Sequence, residues 1–216
     1  MKPNPISKLF VIGLVFVAAC GSGAANQDLI GTWQRLRDDA SLRDQYTFGR
    51  DGTFAFDELK PDDPATEDHL SGTYQATDRT VVANVTQARD GRPARLTFSW
   101  FANATSFSTA ALLPTGAHQG IVGGWDGIVK IERLDEPGSI PDGASTAQTF
   151  RADGTFTATT TRHDGSAATV VEGTYVEDPP GLFTATAVTA TGPSVMIAQL
   201  IDGAALVGPS RIWTKR

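Results

Sequence analysis

The chain has one cysteine, Cys20, among 216 residues, so no internal disulfide can staple it. Its three histidines, His69, His118 and His163, do not stand at ligand spacing from one another. Without cysteine ligands, a zinc site would need carboxylates gathered by the fold. No Gly-x-Ser-x-Gly, P-loop or dinucleotide glycine motif is present. None of the serines carries a motif of activation, so no catalytic residue, metal or cofactor is expected. Lys and Arg number 18 against 24 Asp and Glu, a net charge of −6. That balance argues against nucleic-acid backbones as partners and against basic adhesion to anionic lipid. The apolar run Leu9 to Ala19 falls well short of the roughly 20 residues a membrane-spanning helix needs. Helix signals are scarce too, because no window sustains apolar residues at i, i+3, i+4 and i+7.

The N-terminus has its own grammar. Met1 to Lys8 is short and basic, Leu9 to Ala19 is apolar, and small residues end the run. This pattern reads as a secretory signal peptide over residues 1–19. The hexapeptide Val17-Ala18-Ala19-Cys20-Gly21-Ser22 resembles the lipobox of bacterial lipoproteins. The resemblance implies cleavage before Cys20 and acylation of that cysteine, with the lipid bilayer as partner. Each buried methylene of an acyl chain adds about 0.8 kcal/mol, so several chains would hold the protein firmly on a membrane. Residue 21 is Gly rather than Asp, which by the same resemblance favours the outer membrane of a cell envelope. Residues 20–27, small and polar after the cysteine, read as a lipidated, flexible tether.

From residue 28 onward the pattern is strand and turn. Phe54 and Phe56 alternate with Thr53, Ala55 and Asp57. Leu96, Phe98 and Trp100 share one face of their run, as do Phe183, Ala185 and Ala187. Such period-two alternation predicts antiparallel strands with one face in a core.

The chain also repeats itself in order. Ile30-Gly31-Thr32-Trp33 answers to Val122-Gly123-Gly124-Trp125, and TFGRDGTF (47–54) to TFRADGTF (149–156). Ser71-Gly72-Thr73-Tyr74 answers to Glu172-Gly173-Thr174-Tyr175, and Ala110–Leu113 to Ala204–Val207. The second copy is longer between its Trp and its octet, near the turn-rich stretch Asp135 to Ala144. Two homologous units are expected, 28–117 and 118–216, each with roughly seven or eight strands. The repeated octet reads as a hairpin, with Gly52 and Gly154 in the left-handed position and the flanking Phe residues packing across it. A calcium loop would need more oxygen ligands than its single Asp. The acidic stretch Asp57 to Asp68 reads as a solvated loop broken by Pro61 and Pro64.

The Gly-x-Trp opening each unit, followed by a β-meander, resembles the lipocalin-like superfamily. The resemblance implies an all-β fold of two tandem antiparallel barrel or meander units. It places Trp33 and Trp125 on the first strand of each, closing one barrel end, with a cation from the last strand on the ring. In the second unit, Arg211 and Lys215 are the candidates, while the first unit ends in LLPTGAH and offers none. Such a contact contributes about 0.5–2 kcal/mol. Trp100, Phe101, Phe107 and Met196 could line a ligand cavity or equally fill a core. The function expected is that of a non-enzymatic envelope lipoprotein binding a small apolar ligand in a barrel mouth. The alternatives are a structural lipoprotein with filled barrels that holds another envelope protein, and an enzyme built across loops.

Overall fold

The computed structural model describes residues 25–36, 43–60, 63–88, 90–189, 192–208 and 211–216. The leader, Cys20 and the start of the tether lie outside them. A short helix α1 (Ala25–Leu29) leads into sixteen strands. The first copy holds β1 (Gly31–Leu36), β2 (Arg43–Phe48), β3 (Thr53–Lys60), β4 (Asp63–Ala76), β5 (Thr80–Ala88), β6 (Ala94–Ala102), β7 (Ser106–Thr109) and β8 (Leu113–Pro114). The second holds β9 (Gly123–Arg133), β10 (Asp142–Phe150), β11 (Thr155–Arg162), β12 (Thr169–Glu177), β13 (Leu182–Thr189), β14 (Gly192–Ile201), β15 (Ala205–Val207) and β16 (Ile212–Lys215). All pairings are antiparallel, and all sixteen strands belong to one sheet.

The predicted alternation is what the strands show. Phe54, Phe98 and Trp100 are buried in the first unit, and Phe183, Ala185 and Ala187 in the second. Each octet is a hairpin tip. Gly52 and Gly154 both sit at φ +81°, a backbone that a side chain would strain. Asp51 Oδ1 accepts from Thr53 N at 3.1 Å and Thr53 Oγ1 at 2.7 Å. Asp153 repeats this with Thr155 at 2.9 and 2.6 Å. These bonds hold both carboxyls below the usual carboxylate range. The Phe rings pack across the hairpin, at 5.6 Å for Phe48 and Phe54 and 5.7 Å for Phe150 and Phe156. The Tyr of each Gly-Thr-Tyr motif then reaches back to cap the turn. Tyr74 donates to Gly49 O at 3.1 Å and Tyr175 to Arg151 O at 2.7 Å. The octet and the Gly-Thr-Tyr motif therefore form one structural unit, present twice.

Strands β1 to β7 curl into a barrel that one further strand closes, and that strand is β16. It pairs with β1 through Trp33↔Lys215 and with β7 through Trp213↔Phe107. With β6 paired to β7, eight strands form a closed antiparallel barrel, an all-β architecture consistent with the lipocalin-like class. The second unit is closed by β8 in the same register. Pro114 pairs Trp125, and Leu112 pairs Leu206 with reciprocal 2.9 Å backbone bonds. Each copy thus surrenders its last strand to the other.

This exchange corrects two sequence-based expectations. Lys215 does not cap Trp125; its Nζ lies 5.0 Å from the Trp33 ring centroid. The first unit's own end, LLPTGAH, supplies no closing cation, and its barrel takes one from the far end of the chain. Over Trp125 the neighbouring ring is that of His118, at 4.8 Å. Arg211 is exposed, and its backbone N donates to Gly208 O at 2.8 Å. The match of Ala110–Leu113 to Ala204–Val207 also fails in three dimensions. Leu112 faces Leu206 as a partner, and its counterpart in the other barrel is Trp213.

The first core is dominated by aromatics. Trp33, Phe48, Phe54, Tyr74, Phe98, Trp100, Phe107 and Trp213 are all buried together. The second is leaner, with Trp125, Phe150, Phe156 and Phe183 among Ala158, Ala185 and Ala187. Both tryptophans of the Gly-x-Trp motifs donate Nε1 to a carbonyl four residues back, Leu29 O and Ile121 O, each at 2.8 Å. Leu29 is fully buried, so α1 plugs the Trp33 end of the first barrel.

Candidate functional site: the open mouth of the first barrel

The other end of this barrel is open. Strand β6 explains why. Its upper part, Trp100–Ala102, pairs with β7, but its lower part, Ala94–Phe98, leaves β7 and pairs with β9. The wall is therefore spread at its base, and the second unit's first strand becomes part of the mouth. A cavity of about 640 Å³ lies there. Its apolar lining is Leu70, Val85, Ala88, Ala94, Leu96 and Ile131, and its charged groups are Glu58, Asp90, Arg92 and Arg133. That volume suits a small molecule, and the apolar lining with a polar rim suits one with few polar atoms.

The rim is tied by ion pairs between the two copies. Arg92 meets Asp135 at 2.9 Å and also contacts Glu136, while Arg133 meets Asp90 at 3.0 Å. Leu134 N donates to Pro93 O at 3.0 Å beside them. The extra length of the second copy, near Asp135, thus clasps the β5–β6 turn of the first. Hydrogen bonds from Arg92 to Asp135, and from the Arg92 backbone to Asp90, lower both carboxyls. These pairs are exposed, so each contributes little alone.

On the barrel's inner face stands a second polar group. Asp44 is buried and pairs with Arg35, whose guanidinium carbon lies 4.6 Å over the Trp213 ring. Tyr46 packs 5.4 Å from the same ring. Burial first, and the Asp44 carboxylate second, push its hydroxyl up to about 12. A smaller crevice of about 310 Å³ runs between the barrels, lined by Arg79, Asp126 and the hydroxyls of Ser99, Ser145, Thr159 and Thr161, among others. Arg79 is already engaged there, with Asp126 and with Pro114 O at 2.8 Å.

The four residues named as a ligand lining are not brought together. Trp100 and Phe107 are core residues of the first barrel, and Trp100 Nε1 donates to Thr77 O at 2.9 Å. Phe101 faces outward and packs on Ala111, Leu113, Ala205 and Val207 between the units. Met196 sits in the second barrel, where its sulfur accepts from Gln148 Nε2 at 3.2 Å. The mouth residues were missed because most are small or aliphatic and ordinary in sequence. Inward parity on β4 and β6 was the available signal for Leu70 and Leu96, whereas Ala88 is off the odd parity of Val81, Ala83 and Val85 and turns inward only through the register shift between β4 and β5. Nothing local signals Ile131, which arrives through the β6–β9 pairing.

The described part of the acidic stretch is strand rather than loop: residues 57–60 belong to β3 and residues 63–69 to β4. Asp57 Oδ1 pairs with His69 Nδ1 at 2.6 Å across the hairpin. Among the described residues, no three His, Cys, Asp or Glu side chains gather in a metal-binding group. No protein-family profile, curated protein or solved structure matches the chain.

Proposed function

We propose that the protein is a non-enzymatic lipoprotein of the cell envelope that holds a small apolar molecule in the mouth of its first barrel. The lipobox-like Val17–Cys20 sequence supports the anchor, an acylated Cys20 on what the Gly21 resemblance makes the outer membrane. The observation that carries the binding reading is the 640 Å³ cavity with apolar walls and a charged rim. A structural role is favoured by a different observation. The upper part of the first barrel is filled by aromatics, while Val176, Val188, Val195 and Ile197 are exposed on the strands of the second unit.

The test is native mass spectrometry of the chain purified from its own host, with Cys20→Ser to release it from lipid. The expected result is an added mass that disappears on denaturation and is reduced in Ala88→Trp, which fills the mouth. A bare mass, together with no uptake of an apolar fluorescent probe, would sink the binding reading. Mass analysis of the unaltered protein tests the anchor: a Cys20 without acyl chains removes it.

A further inference from the structure

The two copies match strand for strand, with one exception. In the first, the lower part of β6 is covered on the side away from β5 by β9, through Ala94↔Arg133 to Phe98↔Val129. In the second, β14 takes the place of β6. Ala83↔Leu96 and Val81↔Phe98 in the first copy answer to Ala185↔Met196 and Phe183↔Ala198 in the second. Pairing with β15 reaches only Gln199, Leu200 and Ile201. Among the described residues, no strand covers Ser194–Ala198 on that side.

The chemistry of this edge differs from that of its counterpart. Arg95 and Thr97 point outward on β6, and the same places on β14 are Val195 and Ile197. Val195 is 61% exposed and Ile197 48% exposed. Val188 and Val176, on β13 and β12, extend the patch and are more than half exposed. Strand β14, GPSVMIAQLI, carries no charge at all. Free edges of natural sheets are normally blunted by charged side chains, since an apolar one templates pairing with another chain.

We infer that the β14 edge is an interface with a second copy of this chain, formed by antiparallel β14–β14 pairing. The occupant of the equivalent edge inside the molecule is β9, a strand of the other repeat unit, so at this place the fold already accepts an antiparallel strand from a copy of itself. The sequence is self-complementary in that arrangement. Pairing centred on Met196 sets Val195 of each copy opposite Ile197 of the other, on one face and with no like charges facing. An isologous twofold contact needs this property, and main-chain bonds with apolar cross-strand pairs supply the affinity. The inference does not depend on what the barrel mouth binds.

Sedimentation equilibrium of the Cys20→Ser chain, from residue 20 onward, tests it. A concentration-dependent dimer is expected in the micromolar to millimolar range. The double variant Val195→Lys, Ile197→Lys should weaken it about tenfold or more, because like charges then face each other across the pair. Both side chains are exposed, so the variant should keep the wild-type near-ultraviolet spectrum and unfolding midpoint. A second variant, Val195→Cys with Ile197→Cys, should form an intermolecular disulfide on mild oxidation. A chain that stays monomeric throughout, or a dimer unaffected by the lysines and not cross-linked by the cysteines, overturns the proposal.

Discussion

At the scale of single residues, the repeat shows which side chains the fold depends on. Gly72 and Gly173 are the clearest case. A Cβ on Gly72 would lie 1.9 Å from Asn84 O, and one on Gly173 would lie 2.0 Å from Thr186 O. Both obstacles are backbone atoms of the next strand, which cannot rotate away. Gly72→Ala and Gly173→Ala should each cost about 1–3 kcal/mol or more, whereas Gly116→Ala, with open space around it, should stay within about 0.5 kcal/mol. Urea unfolding followed by tryptophan fluorescence measures all three.

Tyr46 makes a second prediction. Its hydroxyl is pushed up to about 12, whereas an unfolded tyrosine ionises near pH 10. Between those values the unfolded chain loses a proton that the folded chain keeps. The Tyr46 contribution is therefore intact below about pH 10 and falls by up to about 1.4 kcal/mol per pH unit as pH approaches 12. Burial raises Tyr74 and Tyr175 in the same direction. Tyr46→Phe keeps the ring contacts and should flatten the alkaline fall without abolishing it. An unchanged slope in that variant would contradict the assignment.

At the scale of elements, the sequence revealed the strands and hid the connections that close them. Alternation identified the inward faces of β3, β6 and β13, because a half-buried strand writes its environment into its own residues. The octet disclosed its hairpin for the same reason: Asp-Gly chemistry and the flanking Phe pair are local. Closing strands are different. Leu113–Pro114 spans two residues and Ile212–Lys215 four, too short for a periodic signal, and their partners lie far along the chain. Trp213 nonetheless bears a large part of the first core, 5.7 Å from Phe107 and 5.4 Å from Tyr46 and only 2% exposed. Trp213→Ala should cost about 3–5 kcal/mol. Because Trp213 lies on β16, the loss should appear in the first barrel, read by hydrogen exchange across β1 and β7 before β12 and β13. Exchange that rises first in the second unit would argue against the pairing.

At the scale of the molecule, reciprocal closure makes two cores into one folding unit. A chain of two independent barrels would survive cutting at 117/118, since each half would keep all its strands. Here the first half would lose β16, leaving Trp33 without Lys215 and Phe107 without Trp213. The second would lose β8, leaving Trp125 and Leu206 unpaired on one side. Each fragment would expose the edges left by its missing closing strand, would also lose the β6–β9 pairing, and would uncover part of a core. Residues 28–117 and 118–216, produced apart, should therefore show broad, non-cooperative unfolding. Mixed together from denaturant, they should recover the spectrum of the intact chain, because each carries the strand that the other lacks. The recovered complex should contain one copy of each fragment. The intact protein should unfold in a single transition by probes of either barrel. Two separable transitions, or a 28–117 fragment that folds cooperatively alone, would mean that β16 is dispensable to the first barrel and that the exchange contributes little to its stability.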